Sequence, residues 1–327
     1  MTKKLLAVAC QDKPSIVFLD PATNARLGEV VVPAEPHEME YDTLRNHLYC
    51  AITYRDGFYE VHGDSGTEIA VIDVATRSLV RVIDLAPEHS PHGLYHDRDR
   101  DLLYVSVEAG PAGEGAVLAV DPSAGKIVER MPVGVSGPHW FAVTPDGAKA
   151  YVTGKEAPFV TVLDLATGQA VNHIEVPGSE GVAVHGRHAF VATPKLDLTG
   201  GTTRHQILVI DIGTEETVHA IDLAAPAVPV HVTTNGMLLT AEVHFEPGPR
   251  PLDGVLRAFD TTTFAPLGQA GLGQVPLTLI SSADGARAYV ANAASDTVTV
   301  VDLREHRPEA TLTGLPGAHG LALVPAH

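Results

Sequence analysis

One repeat constrains this chain more than anything else in it. An apolar run ending in aspartate occurs seven times, at Ile16–Asp20, Ile69–Asp73, Val117–Asp121, Val160–Asp164, Ile207–Asp211, Leu256–Asp260 and Val298–Asp302. The aspartates lie 42–53 residues apart, close to the period of a four-stranded propeller blade. A second marker precedes most of these runs: Leu48-Tyr-Cys50, Leu103-Tyr-Val105, Ala150-Tyr-Val152, Ala189-Phe-Val191 and Ala288-Tyr-Val290. Hairpin turns such as Asp146-Gly147, Asn235-Gly236 and Asp284-Gly285 stand before several of the second markers,. After the aspartates come turns such as Ser123-Ala-Gly125 and Ala166-Thr-Gly168, and then a further short run such as Val171–Val176,.

Each unit therefore reads strand A, turn, strand B, loop, strand C, turn, strand D. No stretch sustains a helical period. Aromatic residues make up only 5% of the 327 residues, against 30 glycines and 24 prolines, a balance that suits many short strands and tight turns. The chain begins on a strand B, near Leu5–Cys10, and ends on a strand A, Gly320–Val324. The last strand is expected to complete the first blade, which removes the open sheet edges. The expectation is an all-β, seven-bladed propeller of four-stranded blades, a single domain over residues 1–327.

Two segments carry a family likeness. Tyr289-Val-Ala-Asn292 with Asp296–Asp302, and Tyr151-Val-Thr153 with Val160–Gly168, resemble the YVTN-type seven-bladed β-propeller family, which includes lactonase-like propellers. The resemblance extends over nearly the whole chain. It implies the fold and says little about activity, because propellers host many functions.

A second pattern rides on the first. The chain writes Glu35-Pro-His-Glu-Met, Ser90-Pro-His-Gly-Leu, Ser136-Gly-Pro-His-Trp and Gly317-Ala-His-Gly-Leu at the start of successive A strands. Aligned on their B strands, the units place His319, His37, His92 and His139 at one position in blades 1 to 4, and Glu180 there in blade 5. In blades 6 and 7 that position falls near Val228 and Leu277. Strand A is the innermost strand of a blade, so four imidazoles and one carboxylate are expected to converge at one mouth of the channel. Imidazole is the common side-chain ligand of Zn, Cu, Fe and Ni. Three or four of them with a free position make a catalytic site rather than a sealed structural one. The expected cofactor is a divalent transition metal (Fe, Cu, Zn, Mn or Ni) on His37, His92, His139 and His319.

The loops from strand B to strand C share that face. Four are long and carry Tyr54, Arg55, Glu108, Lys195, Glu242 and His244, and enlarged loops on one face of a regular scaffold are where sites usually sit. Glu108 and Glu242 directly follow strand B. With Glu180 and His244 they are the expected acid–base or supporting groups.

These residues point to a metal-dependent enzyme acting on a small organic substrate, leaning to oxidoreductase or oxygenase chemistry. The four-histidine arrangement is similar to the site, though not the blades, of carotenoid-cleaving iron oxygenases. A metal-dependent lyase or hydrolase is the alternative within the class. Outside it stands a non-catalytic binding or scaffold propeller whose histidines pack the channel mouth. The formal net charge of -18 repels phosphate backbones and anionic membranes, so nucleic acid and membrane are not expected partners. Cys10 and Cys50 are too few for a disulfide framework. The apolar stretch Leu5–Ala9 is too short for a secretory signal and is needed as a strand. A cytoplasmic location is expected, and the sequence does not speak to oligomeric state.

Overall fold

The computed structural model of the chain describes residues 4–58, 61–155, 157–193, 205–247 and 250–326. It is all-β: seven four-stranded antiparallel sheets, the blades of a seven-bladed β-propeller. Among the described residues the helical content is one 3-10 turn, Ala293–Ser295, and no helix is long and apolar enough to cross a membrane.

The chain forms two compact units. The first, residues 1–138 with 314–327, holds three blades. Blade 1 has the strand order Ala25–Val31, Ser15–Asp20, Lys4–Cys10, Ala318–Pro325, so the last strand does complete the first blade, in a ladder from Lys4↔Pro325 to Cys10↔Ala318. Blade 2 runs Glu35–Asp42, His47–Tyr54, Ser65–Asp73, Ser78–Asp84, and blade 3 runs His89–Asp97, Leu102–Ala109, Ala116–Asp121, Lys126–Pro132. The second unit, residues 139–313, holds blades 4 to 7, whose C strands are Phe159–Asp164, Gln206–Asp211, Pro251–Asp260 and Thr297–Asp302.

The B and C strands read as unbroken apolar runs because both of their faces are covered. In blade 2, Leu48, Cys50, Ile52, Ala70 and Ile72 pack toward blade 1 with Leu5, Ile16 and Phe18. The alternate residues Tyr49, Ala51, Ile69 and Val71 pack toward blade 3 with Leu103, Val105 and Leu118. Successive side chains of a strand point to opposite faces, so one strand feeds two cores. Cys50 is one of these apolar fillers, and burial pushes its thiol well above the usual range. The D strands are covered on one side only and are mostly exposed, as in Ser78–Asp84 and Gln169–Glu175.

The seven aspartates have one common job. The Oδ1 of each accepts backbone N–H groups two or three residues on, at 2.7–3.1 Å, capping the turn between strands C and D. These backbone hydrogen bonds hold the carboxyls of Asp73, Asp121, Asp164, Asp211, Asp260 and Asp302 below the ordinary range.

A histidine in the second unit gives the fold a pH dependence. His231, on strand A of blade 6, is partly buried with Nε2 2.9 Å from Ser281 Oγ of blade 7, and its enclosure lowers its pKa to about 4. A depressed folded-state pKa means that the unfolded chain takes up the proton first, so stability is full above the unfolded value near 6.5 and falls as pH drops toward 4. The contribution is at most about 3 kcal/mol. His231→Asn, which keeps a polar group toward Ser281, should shrink the fall in melting temperature between pH 6.5 and 4.5 by a few degrees. An unchanged slope would remove His231 as its source.

Candidate metal centre

The repeated Pro-His-X step does not continue the ladder; it interrupts it. In blade 2 Pro36 pairs with Ile52 and Met39 with Cys50, so three steps on strand A face two on strand B. The same happens in blade 3 between Pro91↔Val107 and Leu94↔Val105, and in blade 1 between Ala318↔Cys10 and Leu321↔Val8. The extra residues are His37-Glu38, His92-Gly93 and His319-Gly320. A bulge of this kind bends the strand and re-aims its side chains. It also strips backbone groups of ladder partners, and hydroxyls from the B strands replace them: Ser106 Oγ accepts from Gly93 N at 2.8 Å, and Thr53 Oγ1 donates to Pro91 O at 2.5 Å.

In the first unit the re-aimed side chains meet. His37, Glu38 and His92 each place a donor atom within 4.8 Å of the other two, and all three are buried. Glu38 Oε2 lies 3.5 Å from His92 Nδ1 and 3.8 Å from His37 Nδ1. Two ligands about 2.0–2.1 Å from a tetrahedral ion stand about 3.3 Å apart, so these separations are close to those that a single ion requires. The rings of His37 and His92 stand nearly perpendicular, at 84°.

The far side of His92 is held by a carboxylate. Glu108 Oε1 lies 2.7 Å from His92 Nε2 and accepts the hydroxyl of Tyr54 at 2.6 Å. An ionised carboxylate can only accept, so Nε2 carries the proton and the Nδ1 of a neutral His92 turns its lone pair toward the Glu38 carboxylate. Two lone pairs facing one another in a buried space repel unless a cation stands between them. That cation is either a proton or a metal ion. Burial alone would raise the Glu38 carboxyl, but the hydrogen bond from His92 and the charges of His92, His37 and His319 hold it well below the usual carboxylate range. Burial likewise disfavours a charged His92, and the hydrogen bonds to Glu108 and Glu38 outweigh it and raise its pKa.

His319 belongs to the same neighbourhood. Its ring packs on that of His37, centroids 4.5 Å apart and tilted by 45°, and among the described residues it is not one of the three that share the 4.8 Å group. Glu38 is not among the residues that the sequence pattern singles out. The available signal was that its counterparts, Gly93, Trp140 and Gly320, carry no charge. Strict alternation, however, sends Glu38 and His37 to opposite faces, and only the bulge brings them together.

Most of the remaining candidates lie in the second unit. His139 is buried with its ring 4.6 Å from that of Trp140. Glu180 has Lys155 Nζ 3.9 Å from its carboxylate, and its carbonyl accepts Thr153 Oγ1 at 2.5 Å. Glu242 is fully buried: Oε1 accepts Ala224 N at 2.9 Å, while Oε2 is 3.1 Å from Arg257 Nε and 3.3 Å from His244 Nε2. Glu242 and His244 are thus brought together, as part of an ion-paired network. Arg55 pairs with Glu68 in the first unit, and Lys195 lies outside the described residues. His96, lower on strand A of blade 3, joins a separate network with buried Asp42 and half-exposed Asp101, at 3.5 and 3.3 Å.

No family profile and no curated protein matches the chain by sequence. Its fold is matched among solved structures. A functionally unknown protein from Desulfotomaculum acetoxidans DSM 771 superimposes with a TM-score of 0.75 at 10% identity, covering 99% of each chain. Hydrazine synthase from Kuenenia stuttgartiensis superimposes with a TM-score of 0.67 at 16% identity, covering 89% of this chain and 86% of that one. At these identities the likeness is one of fold.

Proposed function

We propose that this chain is a metal-dependent enzyme that acts on a small organic substrate at an ion held by His37, Glu38 and His92. The observation that carries the reading is the buried group of two imidazoles and one carboxylate with donor atoms within 4.8 Å of one another. Two histidines and one carboxylate leave coordination positions open, and this donor set is typical of non-haem iron oxygenases. When bound, such an ion supplies redox chemistry toward dioxygen or Lewis acidity toward a bound oxygen. That a hydrazine synthase has the same fold supports an enzymatic reading of the architecture. The favoured activity is that of an oxidoreductase.

The same donor set also holds catalytic zinc, and this keeps a lyase or hydrolase as the second reading. The metal inventory of tag-free protein purified without oxygen separates the possibilities. About one iron or copper ion per chain, with oxygen uptake on addition of a reductant, is expected. One zinc per chain and no oxygen uptake would move the assignment to the second reading. Absence of any metal, with no shift in melting temperature on adding Fe(II), Co(II) or Zn(II), would leave a proton as the cation between Glu38 and His92, and the chain as a binding or scaffold protein.

A further inference from the structure

The chain of contacts behind His92 is longer than a ligand set needs. Tyr54, at the end of strand B of blade 2, donates to Glu108, on strand B of blade 3, and Glu108 accepts His92 Nε2. All three side chains are buried. The Tyr54 ring also stands edge-on to both imidazoles, with centroids 5.4 Å from His37 and 5.9 Å from His92. The Oε1 of Glu108 is engaged twice over, by the tyrosine hydroxyl and by the imidazole.

We infer that Glu108 and Tyr54 are positioning residues that make His92 coordinate through Nδ1, Glu108 by holding the proton on Nε2 and Tyr54 by holding Glu108. This rests on the metal reading above. The physical reason is the one that operates wherever a ligating imidazole gives its second N–H to a carboxylate. The partner fixes the tautomer, orients the ring and increases the basicity of the ligating nitrogen. In this chain the effect is directional. His92 Nδ1 faces Glu38 Oε2 at 3.5 Å, and a His92 freed from Glu108 could carry its proton on that same Nδ1 and close the site to a cation.

Cobalt(II) titration of metal-free protein, followed by visible absorption, tests the inference with a readout that does not depend on turnover. Wild-type protein is expected to bind one cobalt with a defined d–d spectrum. Glu108→Gln should weaken binding about 10–100-fold and shift that spectrum. Tyr54→Phe should act in the same direction by a smaller factor. The double variant should be little worse than Glu108→Gln alone, because Tyr54 acts through Glu108. In zinc-loaded protein labelled with 15N-histidine, the His92 signals, identified by their loss in His92→Gln, should show Nε2 protonated and Nδ1 bound.

Unchanged cobalt affinity and spectrum in Glu108→Gln would overturn the inference while leaving the metal centre standing. So would protonated Nδ1 in the zinc form, or additive effects of the two substitutions. A wild-type protein that takes up no cobalt would overturn the metal reading itself, and this inference with it. Melting curves of the metal-free variants separate a lost contact from a lost fold.

Discussion

A chain carrying both His37→Asn and Glu38→Gln should bind its metal about ten-thousandfold more weakly than wild type, while folding to the same blades. A four-ligand zinc site is worth about 10–16 kcal/mol, or roughly 3 kcal/mol per ligand, about a hundredfold each. The two substitutions remove two of the three donors in the buried group; Gln keeps the shape of Glu, and Asn is smaller than the imidazole that packs on Tyr54 and His319. In the metal-free protein they remove the hydrogen bond between His92 and Glu38, while the bond from His92 to Glu108 at 2.7 Å is left in place. Metal-free melting temperature should therefore fall somewhat, whereas the stabilisation by added metal should disappear. A double variant that retained a full equivalent of metal after desalting would show that the ion is held elsewhere.

The second large effect is expected at Gly320. A Cβ at that position would lie 1.9 Å from the carbonyl oxygen of His37 and 3.4 Å from the Ala9 Cβ. The nearest obstruction is backbone, which cannot swing aside as a side chain can. Gly320→Val should cost about 3 kcal/mol or more, the upper range for overpacking. It should also displace the bulge that aims His37 and so weaken metal binding. The two effects are read separately, by denaturant melts of metal-free protein and by cobalt affinity. A stable Gly320→Val protein with wild-type affinity would mean that strand A of blade 1 does not run this close to His37.

The blades were legible because their signals are local. An aspartate that caps a turn needs only the next three residues, and all seven do so. A strand covered on both faces must be apolar at every position, as Ile69–Ile72 is, and the exposed D strands need not be. The pairing of the last strand with the first blade followed from counting strands. Part of the candidate site was legible for the same reason: a histidine at a fixed place in the repeat marks a fixed place in each blade. Glu108 stood out as the charge that ends the apolar run of a strand B, and the strand itself extends through it to Ala109. Glu38 did not stand out, and the ring of His319, one of the expected ligands, packs against that of His37.

The sequence by itself determined the unit, its sevenfold repetition and the residue types at the head of each strand A, because strand period and turn chemistry act over a few neighbouring residues. Only the tertiary structure decided which atoms face one another. The bulge that turns His37 and Glu38 to one side is a matter of register between two strands. The bond from Glu108 to His92 depends on packing across blade 3, and that from Tyr54 on packing between blades 2 and 3. Such distances are set by how sheets stack, and a one-residue change in register moves a side chain to the opposite face.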